Sequence, residues 1–322
     1  MSGATSEGPL HLDPTAFSAE IVTRGTEIDT TATVPMNAYV RYFEHLRWLV
    51  MQEPELGLVD LIHEGHFFVV RSQTIALRRR IGQGVGLHLE TRFSEVGRST
   101  ARVHHTARRI SDGALVAEAQ VIGVWLGPSR RMARLPDTFR AAAAARMSVS
   151  SVLAADVPEG PARVVDTAGG SATSFTEPPL VELAPLGVAV QAPPVPAFLD
   201  YEHRIIVPPR DLDVFSHVNA ATFLAYADDA RWFAARALAI DAEVAAGHVA
   251  RVALFYAREA CVDDTLRVAV APLGGSLRDT HALGAWVFRD PEPTPLCSIR
   301  IDLAPGARAV TRPGDPPRDG GV

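Results

Sequence analysis

The sequence predicts an α+β protein built from two copies of one module, each a helix followed by a run of antiparallel strands. Residues 20–48 align with residues 204–232 at a constant offset of 184 without gaps, so that Tyr42, for example, meets Tyr226. In each copy, apolar residues recur at helical spacing, and runs of alternating apolar and polar residues follow. A repeat this long, without shorter periods, indicates paired domains rather than a solenoid.

A short strand at 21–22 opens the first copy, and a polar turn leads from it into an amphipathic helix. Pro35 suits the first turn of this helix, because its missing N–H would be unpaired there anyway. Four alternating runs then predict four strands, at 66–77, 85–93, 99–110 and 115–126. The apolar face of the helix comprises Met36, Tyr39, Val40, Phe43, Leu46 and Val50.

The second copy repeats this order with shorter connections. A strand at 205–207 leads into a helix, and alternating runs at 250–260, 265–272, 280–289 and 296–303 predict the strands. One helix followed by a meander of strands predicts a sheet wrapped over a central helix. The apolar face of this helix comprises Phe223, Leu224, Ala227, Ala230, Ala234 and Leu238.

Composition shifts divide the chain into five segments. A stretch rich in Ala, Pro and Gly at 141–198 predicts a linker between a first module at 19–140 and a second at 199–305. Polar ends with scattered Pro and Gly predict flexible tails at 1–18 and 306–322.

Composition also excludes several classes of function. The chain has 31 arginines and no lysine, which rules out Schiff-base chemistry and lysine-anchored cofactors. Its formal charge of -6 argues against a general nucleic-acid binder. With Cys261 and Cys297 as its two cysteines, it offers no disulfide framework or four-cysteine zinc site. Because no signal peptide or membrane-spanning run is recognisable, we expect a cytoplasmic protein that does not bind membranes.

The strongest cluster of reactive residues is the sequence RDLDVFSHVN at 210–219, directly before the second helix. Unpaired N–H groups at a helix N-terminus favour a developing oxyanion, and Asp213 beside His217 can orient the imidazole or activate water. The alternative is ordinary helix capping by Ser216 or Asp213 beside a solvated histidine.

A second candidate is FYAREACVDD at 255–264, which the pattern places in a strand and the turn after it. Glu259 is an acid in a largely apolar strand, where burial would raise its pKa. The alternative is an ion pair with Arg258 at the strand edge. Cys261 is interpreted as a small packed residue rather than a nucleophile.

These two segments resemble the acyl-acyl-carrier-protein thioesterases of plants and bacteria. The corner at 210–219 resembles that family's Asp-x-Asn-x-His-Val-Asn-Asn signature, and FYAREACVDDTL resembles its Tyr-x-Arg-Glu-Cys element. The segments at 26–48 and MARLPDTF at 132–139 resemble the start and end of its first module. The corner motif is shared more loosely with single-domain acyl-CoA thioesterases of the hotdog superfamily.

The resemblance implies a tandem hotdog with one main active site, which needs no metal or organic cofactor. The acyl thioester would come from acyl-carrier protein or coenzyme A. The implied catalytic residues are Asp213, His217 and Glu259. The implied substrate-binding residues are Asn219, Phe215, Asp29 and Arg258. Since the two modules can cover each other's sheet edges, we expect a monomeric pseudo-dimer or a homodimer.

Two departures from the family pattern leave a second hypothesis open. Phe215 stands where the family has a catalytic Asn, and Ala260 stands where it has Cys. The first module keeps Asp29 but has Thr33 where the second has His217. The chain is therefore either a thioesterase for a fatty or polyketide chain, or a non-hydrolytic partner that binds a carrier-bound chain. A hotdog dehydratase is disfavoured, because its His-x-x-x-Gly-x-x-x-x-Pro pattern is missing.

Arginine clusters outside the motifs have two interpretations. Arg130, Arg131 and Arg134, like the triplet at 78–80, are typical of solvated faces. They could instead contact an acidic carrier protein or a phosphopantetheine phosphate.

Overall fold

A computed structural model describes residues 16–29, 31–153, 190–197, 199, 201–237, 249–274 and 282–303. The first half contains strands β1 (Phe17–Val22), β2 (Phe67–Leu77), β3 (Gly86–Val96), β4 (Thr100–Arg109) and β5 (Leu115–Leu126). The second half contains β6 (Tyr201–Ile206), β7 (Val249–Tyr256), β8 (Thr265–Pro272), β9 (Ala282–Arg289) and β10 (Pro295–Leu303). The α-helices within the described ranges are α1 (Met36–Met51), α2 (Val59–His63), α3 (Asp137–Leu153) and α4 (Ala220–Ala237).

The strands form one large antiparallel sheet in the order β1-β3-β4-β5-β2-β7-β10-β9-β8-β6. The two halves follow the same plan in mirror order, and they join where β2 pairs with β7, from Ser72↔Phe255 to Ala76↔Arg251. Each half therefore covers an inner edge strand of the other. The alternating runs of the sequence are all strands here, as predicted.

The helices α1 and α4 contact each other and supply much of the apolar core. All six residues of the predicted apolar face of α1 are buried, and so are those of α4 up to Ala234. Leu238 lies outside the described residues. One cluster of buried side chains joins both helices to strands of both halves, for example Ile75 of β2 and Val252 of β7. Burial of this shared cluster ties the two halves together.

Several element boundaries differ from the prediction, and those of β1 and β7 matter most here. β1 begins at Phe17, inside the segment predicted as a flexible tail, because Phe17 pairs with Thr91 of β3 and packs its ring edge-on against Phe93. β7 ends at Tyr256, so the predicted strand does not reach Glu259. The N–H groups of Ala257 and Arg258 both turn to the Leu296 carbonyl, at 2.8 and 3.2 Å, and there the chain leaves the ladder.

The helix α3 crosses the predicted module boundary at 140. The alanine run after Phe139 favours a helix, and Phe139 and Ala143 are buried against Trp125 and Leu135 of the first half. Farther along the predicted linker, the Pro193 carbonyl accepts the indole N–H of Trp286 at 3.0 Å. The rest of that linker and the predicted tails beyond Leu303 and before residue 16 lie outside the described residues.

Candidate active site

The turns that lead into α1 and α4 have the same backbone geometry. The Asp213 N–H donates to the His217 carbonyl at 2.7 Å, and the Asp29 N–H donates to the Thr33 carbonyl at 3.0 Å. In both turns the third residue after the aspartate has a left-handed conformation, with φ of 63° at Ser216 and 59° at the equivalent alanine. The duplicated corner thus presents His217 in one copy and Thr33 in the other.

The second corner brings together two predicted residues and one arginine from the first half of the chain. His217 Nε2 lies 2.8 Å from Glu259 Oε2. Arg130 Nη1 lies 2.7 Å from the same carboxylate oxygen and 2.8 Å from His217 Nε2. The side chain of His217 is 13% exposed and that of Glu259 is 40% exposed, so the group faces solvent at one side. Nε2 can donate to Glu259 or accept from Arg130, depending on its tautomer.

Arg130 reaches this position from a turn after β5. The turn is closed by bonds from the Arg130 N–H to the Gly127 carbonyl at 2.8 Å and from the Gly127 N–H to the Arg131 carbonyl at 2.9 Å. Arg130 has φ of 58°, an uncommon conformation for a residue other than glycine. Local sequence carries no signal for this contact, because Arg130 and His217 are 87 residues apart.

Asp213 uses its side chain to hold the corner. Its Oδ1 accepts the N–H groups of Phe215 at 2.8 Å and His217 at 3.2 Å. These bonds fix the loop that presents the imidazole. Asp213 also lines the cavity described below.

The start of α4 offers one backbone donor to the site. Asn219 caps the helix through its Oδ1, which accepts the Ala221 N–H at 2.8 Å, and its Nδ2 donates to Glu44 of α1 at 2.8 Å. Among the described residues, the Ala220 N–H has no hydrogen-bond partner, and Ala220 lines the cavity. The helix N-terminus can therefore stabilise negative charge at this point.

A cavity of about 630 Å³ begins at this corner and extends into the first half of the molecule. His217, Glu259 and Asp213 line one end. The other end is apolar and is formed by Val50, Leu56, Leu58, Phe93, Val103, Val121 and Phe139. The size, the polar corner and the mainly apolar lining fit a pocket for a small molecule with a long apolar part.

Phe215 forms part of the wall near the polar end. Its ring stacks on Phe67 with centroids 4.8 Å apart and on Trp48 at 5.9 Å. Both partners belong to the first half of the chain, so Phe215 closes the wall between the two halves. At this position, where the family pattern has Asn, the Phe215 ring stacks on other aromatic rings and offers no polar group.

The other residues named from the sequence are more scattered. Arg258 lines the cavity and bonds to Glu292 and to the Thr294 carbonyl. Cys261 also lines the cavity as a free thiol. Neither Asn219 nor Asp29 is among the described residues that line it; Asp29 holds the first corner instead, accepting the Thr31 N–H at 2.8 Å.

One expectation about Glu259 is wrong. The sequence pattern placed it in a buried strand, but it follows the end of β7 and its side chain is substantially exposed. The strand ends early because the chain bends towards β10. Glu259 meets His217 and Arg130 from this loop.

The described residues hold neither a metal cluster nor a membrane-spanning helix. No group of three or more histidine, cysteine or acidic side chains in the described ranges is arranged to hold a metal ion. His104 and His105 point to opposite faces of β4, with His105 fully buried. Within those same ranges, no helix combines the length and apolarity needed to cross a membrane.

Comparisons with known proteins agree with this architecture. Residues 23–143 match the family model of the thioesterase-like superfamily. The fold is similar to that of a 12:0-ACP thioesterase from Umbellularia californica, with 16% identity, a TM-score of 0.65 and coverage of 91% of this chain and 98% of that one. It is similar to a protein assigned as an oleoyl thioesterase from Lactobacillus plantarum, with 16% identity, a TM-score of 0.62 and coverage of 90% and 97%.

A third similar structure is an acyl-ACP thioesterase from Bacteroides thetaiotaomicron, with 11% identity, a TM-score of 0.59 and coverage of 89% of this chain and 97% of that one. No curated protein sequence matches the chain significantly. The resemblance predicted from the sequence is therefore confirmed: the chain has the fold of the hotdog thioesterases, and its first half matches the thioesterase-like superfamily.

Proposed function

We propose that the protein is a tandem hotdog thioesterase that hydrolyses an acyl thioester of acyl-carrier protein or coenzyme A. In this proposal α1 and α4 are the central helices of the two modules. The observation that carries it is the 2.8 Å contact between His217 and Glu259 at the polar end of a long apolar cavity. Paired imidazole and carboxylate groups can take a proton from water next to a bound carbonyl.

The reaction follows from the groups at the corner. Glu259 and His217 accept a proton from water, and the water oxygen attacks the thioester carbonyl carbon. The Ala220 N–H, at the N-terminus of α4, stabilises the oxyanion. The carbon–sulfur bond then breaks, the thiolate receives the proton through His217, and the products are a carboxylate, a thiol and one released proton.

Arg130 and Asp213 have positioning roles in this scheme. Arg130 holds the Glu259 carboxylate by a charge-assisted hydrogen bond at 2.7 Å. Asp213 holds the loop that carries His217. Phe215 takes no part in proton transfer; its ring forms the apolar wall against Phe67.

The acyl chain would extend from the second half of the molecule into the first. The deep end of the cavity belongs entirely to the first half, where Leu56, Leu58 and Phe139 are buried. Burying a hydrocarbon chain there removes apolar surface from water, which is worth about 0.8 kcal/mol per methylene group. The first module, which lacks the histidine, then serves as the binding module.

The first test is thiol release from acyl-carrier and acyl-coenzyme A thioesters, with wild type measured beside His217→Ala and Glu259→Gln. We expect turnover by wild type and a loss of about a hundredfold or more in each variant. Circular dichroism checks that the variants are folded. A variant that is folded and retains full turnover would contradict the assignment of that residue.

The second candidate is a non-hydrolytic partner that binds a carrier-bound chain. Arg130 favours it, because its guanidinium contacts both His217 Nε2 and Glu259 Oε2 and could hold the pair inactive. This candidate predicts binding of acyl-carrier protein without thiol release. Repeated turnovers by purified wild-type protein would eliminate it.

A further inference from the structure

A polar side-chain group interrupts the apolar wall of the cavity partway along its length. Glu44 and Arg47 lie one turn apart on α1 and both line the cavity, as does Thr91 of β3. Glu44 accepts the Asn219 amide at 2.8 Å and so lies beside the start of α4. From there α1 continues to Val50 at the apolar end, so this polar group lies between the reactive corner and the deep end.

The guanidinium of Arg47 has its charge balanced by Glu44 but makes few hydrogen bonds to the described residues. Within the described part of the chain, its hydrogen-bond contact is with His105 Nε2, at 3.5 Å. Burial lowers the pKa of Arg47, while the negative charge of Glu44 opposes this effect. An arginine remains charged even so. Arg47 is only partly buried and lines the cavity, so its other N–H groups can bond to water there or to an acceptor on a bound molecule that displaces this water.

His105 and Thr91 form a fully buried hydrogen-bonded pair beside Arg47. Burial lowers the pKa of His105 well below its ordinary value, and the charge of Arg47 acts in the same direction, so the ring is neutral. Because Nε2 accepts from Arg47, the ring proton lies on Nδ1, which donates to Thr91 Oγ1 at 2.6 Å. The Thr91 side chain is fully buried, so it holds the His105 ring beside Arg47 rather than meeting a bound molecule itself.

On α4, the helix that duplicates α1, the equivalent acidic and basic residues form an ion pair with each other. Asp228 and Arg231 occupy the equivalent positions on α4, and there Arg231 Nη2 bonds Asp228 Oδ1 at 3.2 Å. Neither residue lines the cavity. In the first half, Glu44 instead bonds to Asn219, and its Oε2 is buried without a hydrogen-bond partner among the described residues. On α1 the same spacing thus leaves N–H groups of Arg47 and Oε2 of Glu44 available to a bound molecule.

We propose, on the basis of the thioesterase function above, that the preferred acyl chain carries a hydroxyl or keto oxygen on the part nearest the thioester, and that Arg47 binds this oxygen while Thr91 and His105 hold Arg47 in place. A neutral oxygen fits better than a carboxylate, because Glu44 already balances the charge of Arg47. A hydroxyl can also donate to Glu44. An unsubstituted chain would leave these N–H groups of Arg47 unpaired, which is what makes such sites selective.

The test compares kcat/KM for decanoyl, 3-hydroxydecanoyl, 3-oxodecanoyl and 5-oxodecanoyl thioesters of coenzyme A and of carrier protein. We expect at least one oxygenated chain to exceed decanoyl by about tenfold or more. Arg47→Met should reduce that ratio by about tenfold, and Thr91→Val should reduce it several-fold. Arg231→Met is the matched control outside the cavity and should leave the ratio unchanged.

The outcomes separate this proposal from the thioesterase function. Turnover with decanoyl preferred, or a ratio that Arg47→Met does not change, overturns the oxygenated substrate and leaves the thioesterase intact. If no thioester is hydrolysed, the thioesterase function fails. Calorimetric binding of 3-hydroxydecanoyl and decanoyl thioether analogues then tests whether the cavity prefers an oxygenated chain. A preference for the oxygenated analogue that needs Arg47 supports the proposal, and equal or no binding overturns it. If Arg47→Met does not fold, Thr91→Val and Arg47→Lys provide the same comparison.

Discussion

Single residues at the second corner divide into those that hold the loop and those that can reach a substrate. Asp213 holds the loop through Oδ1, which accepts two backbone N–H groups. An asparagine can accept the same bonds without a charge. We therefore expect Asp213→Asn to keep kcat within about tenfold of wild type and Asp213→Ala to lose about a hundredfold. An equal, large loss in both variants would show that the carboxylate charge itself takes part in the reaction.

Arg130 is the residue whose substitution best separates the two candidate functions. Arg130→Met removes the charged donor that holds Glu259 at 2.7 Å. For a thioesterase we expect kcat/KM to fall about threefold to tenfold, because Arg130 and Glu259 are 51% and 40% exposed and solvent weakens their contact. Arg130→Lys should recover part of the loss. Steady-state thiol release measures both variants, and a rise in rate after Arg130→Met would identify Arg130 as a restraint on an inactive pair.

Among the secondary-structure elements, β4 and β5 are joined by a charged cluster around Glu118 that also includes Arg78, the residue directly after β2. Glu118 Oε1 accepts Arg78 Nε at 2.6 Å, and its Oε2 lies 3.5 Å from His104 Nε2. The bond from His104 lowers the pKa of Glu118, and Arg78 lowers it further. The Glu118 carboxylate therefore stabilises the fold at pH values above the pKa that Glu118 has in the unfolded chain. This contribution is lost as the pH falls through the lower pKa that Glu118 has in the folded protein.

We expect Glu118→Gln to lower the free energy of unfolding by about 1–2 kcal/mol at pH 7. The difference in the free energy of unfolding between this variant and wild type should shrink at pH 3.5, because Glu118 of the wild type becomes increasingly protonated as the pH falls. Urea denaturation at the two pH values measures this. A difference that does not change with pH would mean that the ion pairs contribute nothing measurable.

The local sequence pattern predicts the strands and the two helices that begin at the corners, α1 and α4. The α1 stripe at Met36, Tyr39, Val40, Phe43, Leu46 and Val50 is buried as predicted, because a period of 3.6 residues aligns these side chains on one face. The ends of elements did not follow. Alternation continues past Tyr256, yet the strand stops there because pairing with β10 stops. The prediction made β1 too short, because the strand begins at Phe17 and the position of Phe17 depends on Phe93, far along the chain.

The whole molecule depends on the seam between β2 and β7. Leu254 of β7 is fully buried and pairs with Gln73 of β2 in a core that contains residues of both halves. We expect Leu254→Ala to cost about 2–5 kcal/mol and to lower one common unfolding temperature. Scanning calorimetry should show a single transition in both proteins. Two transitions, with one of them unshifted, would show that the halves unfold separately.

Periodicity and the internal repeat predict the two-copy α+β plan and most strands and both corner helices of the copies, because these patterns are written along the chain. The grouping of Asp213, His217 and Glu259 into one candidate site came from the family resemblance. Tertiary structure alone decided that Arg130 contacts His217 and Glu259, since packing of the two halves brings these distant residues together. It also decided that the cavity enters the first half and passes Glu44 and Arg47. No spacing along the chain encodes these contacts, because they depend on how β2 and β7 join the two sheets.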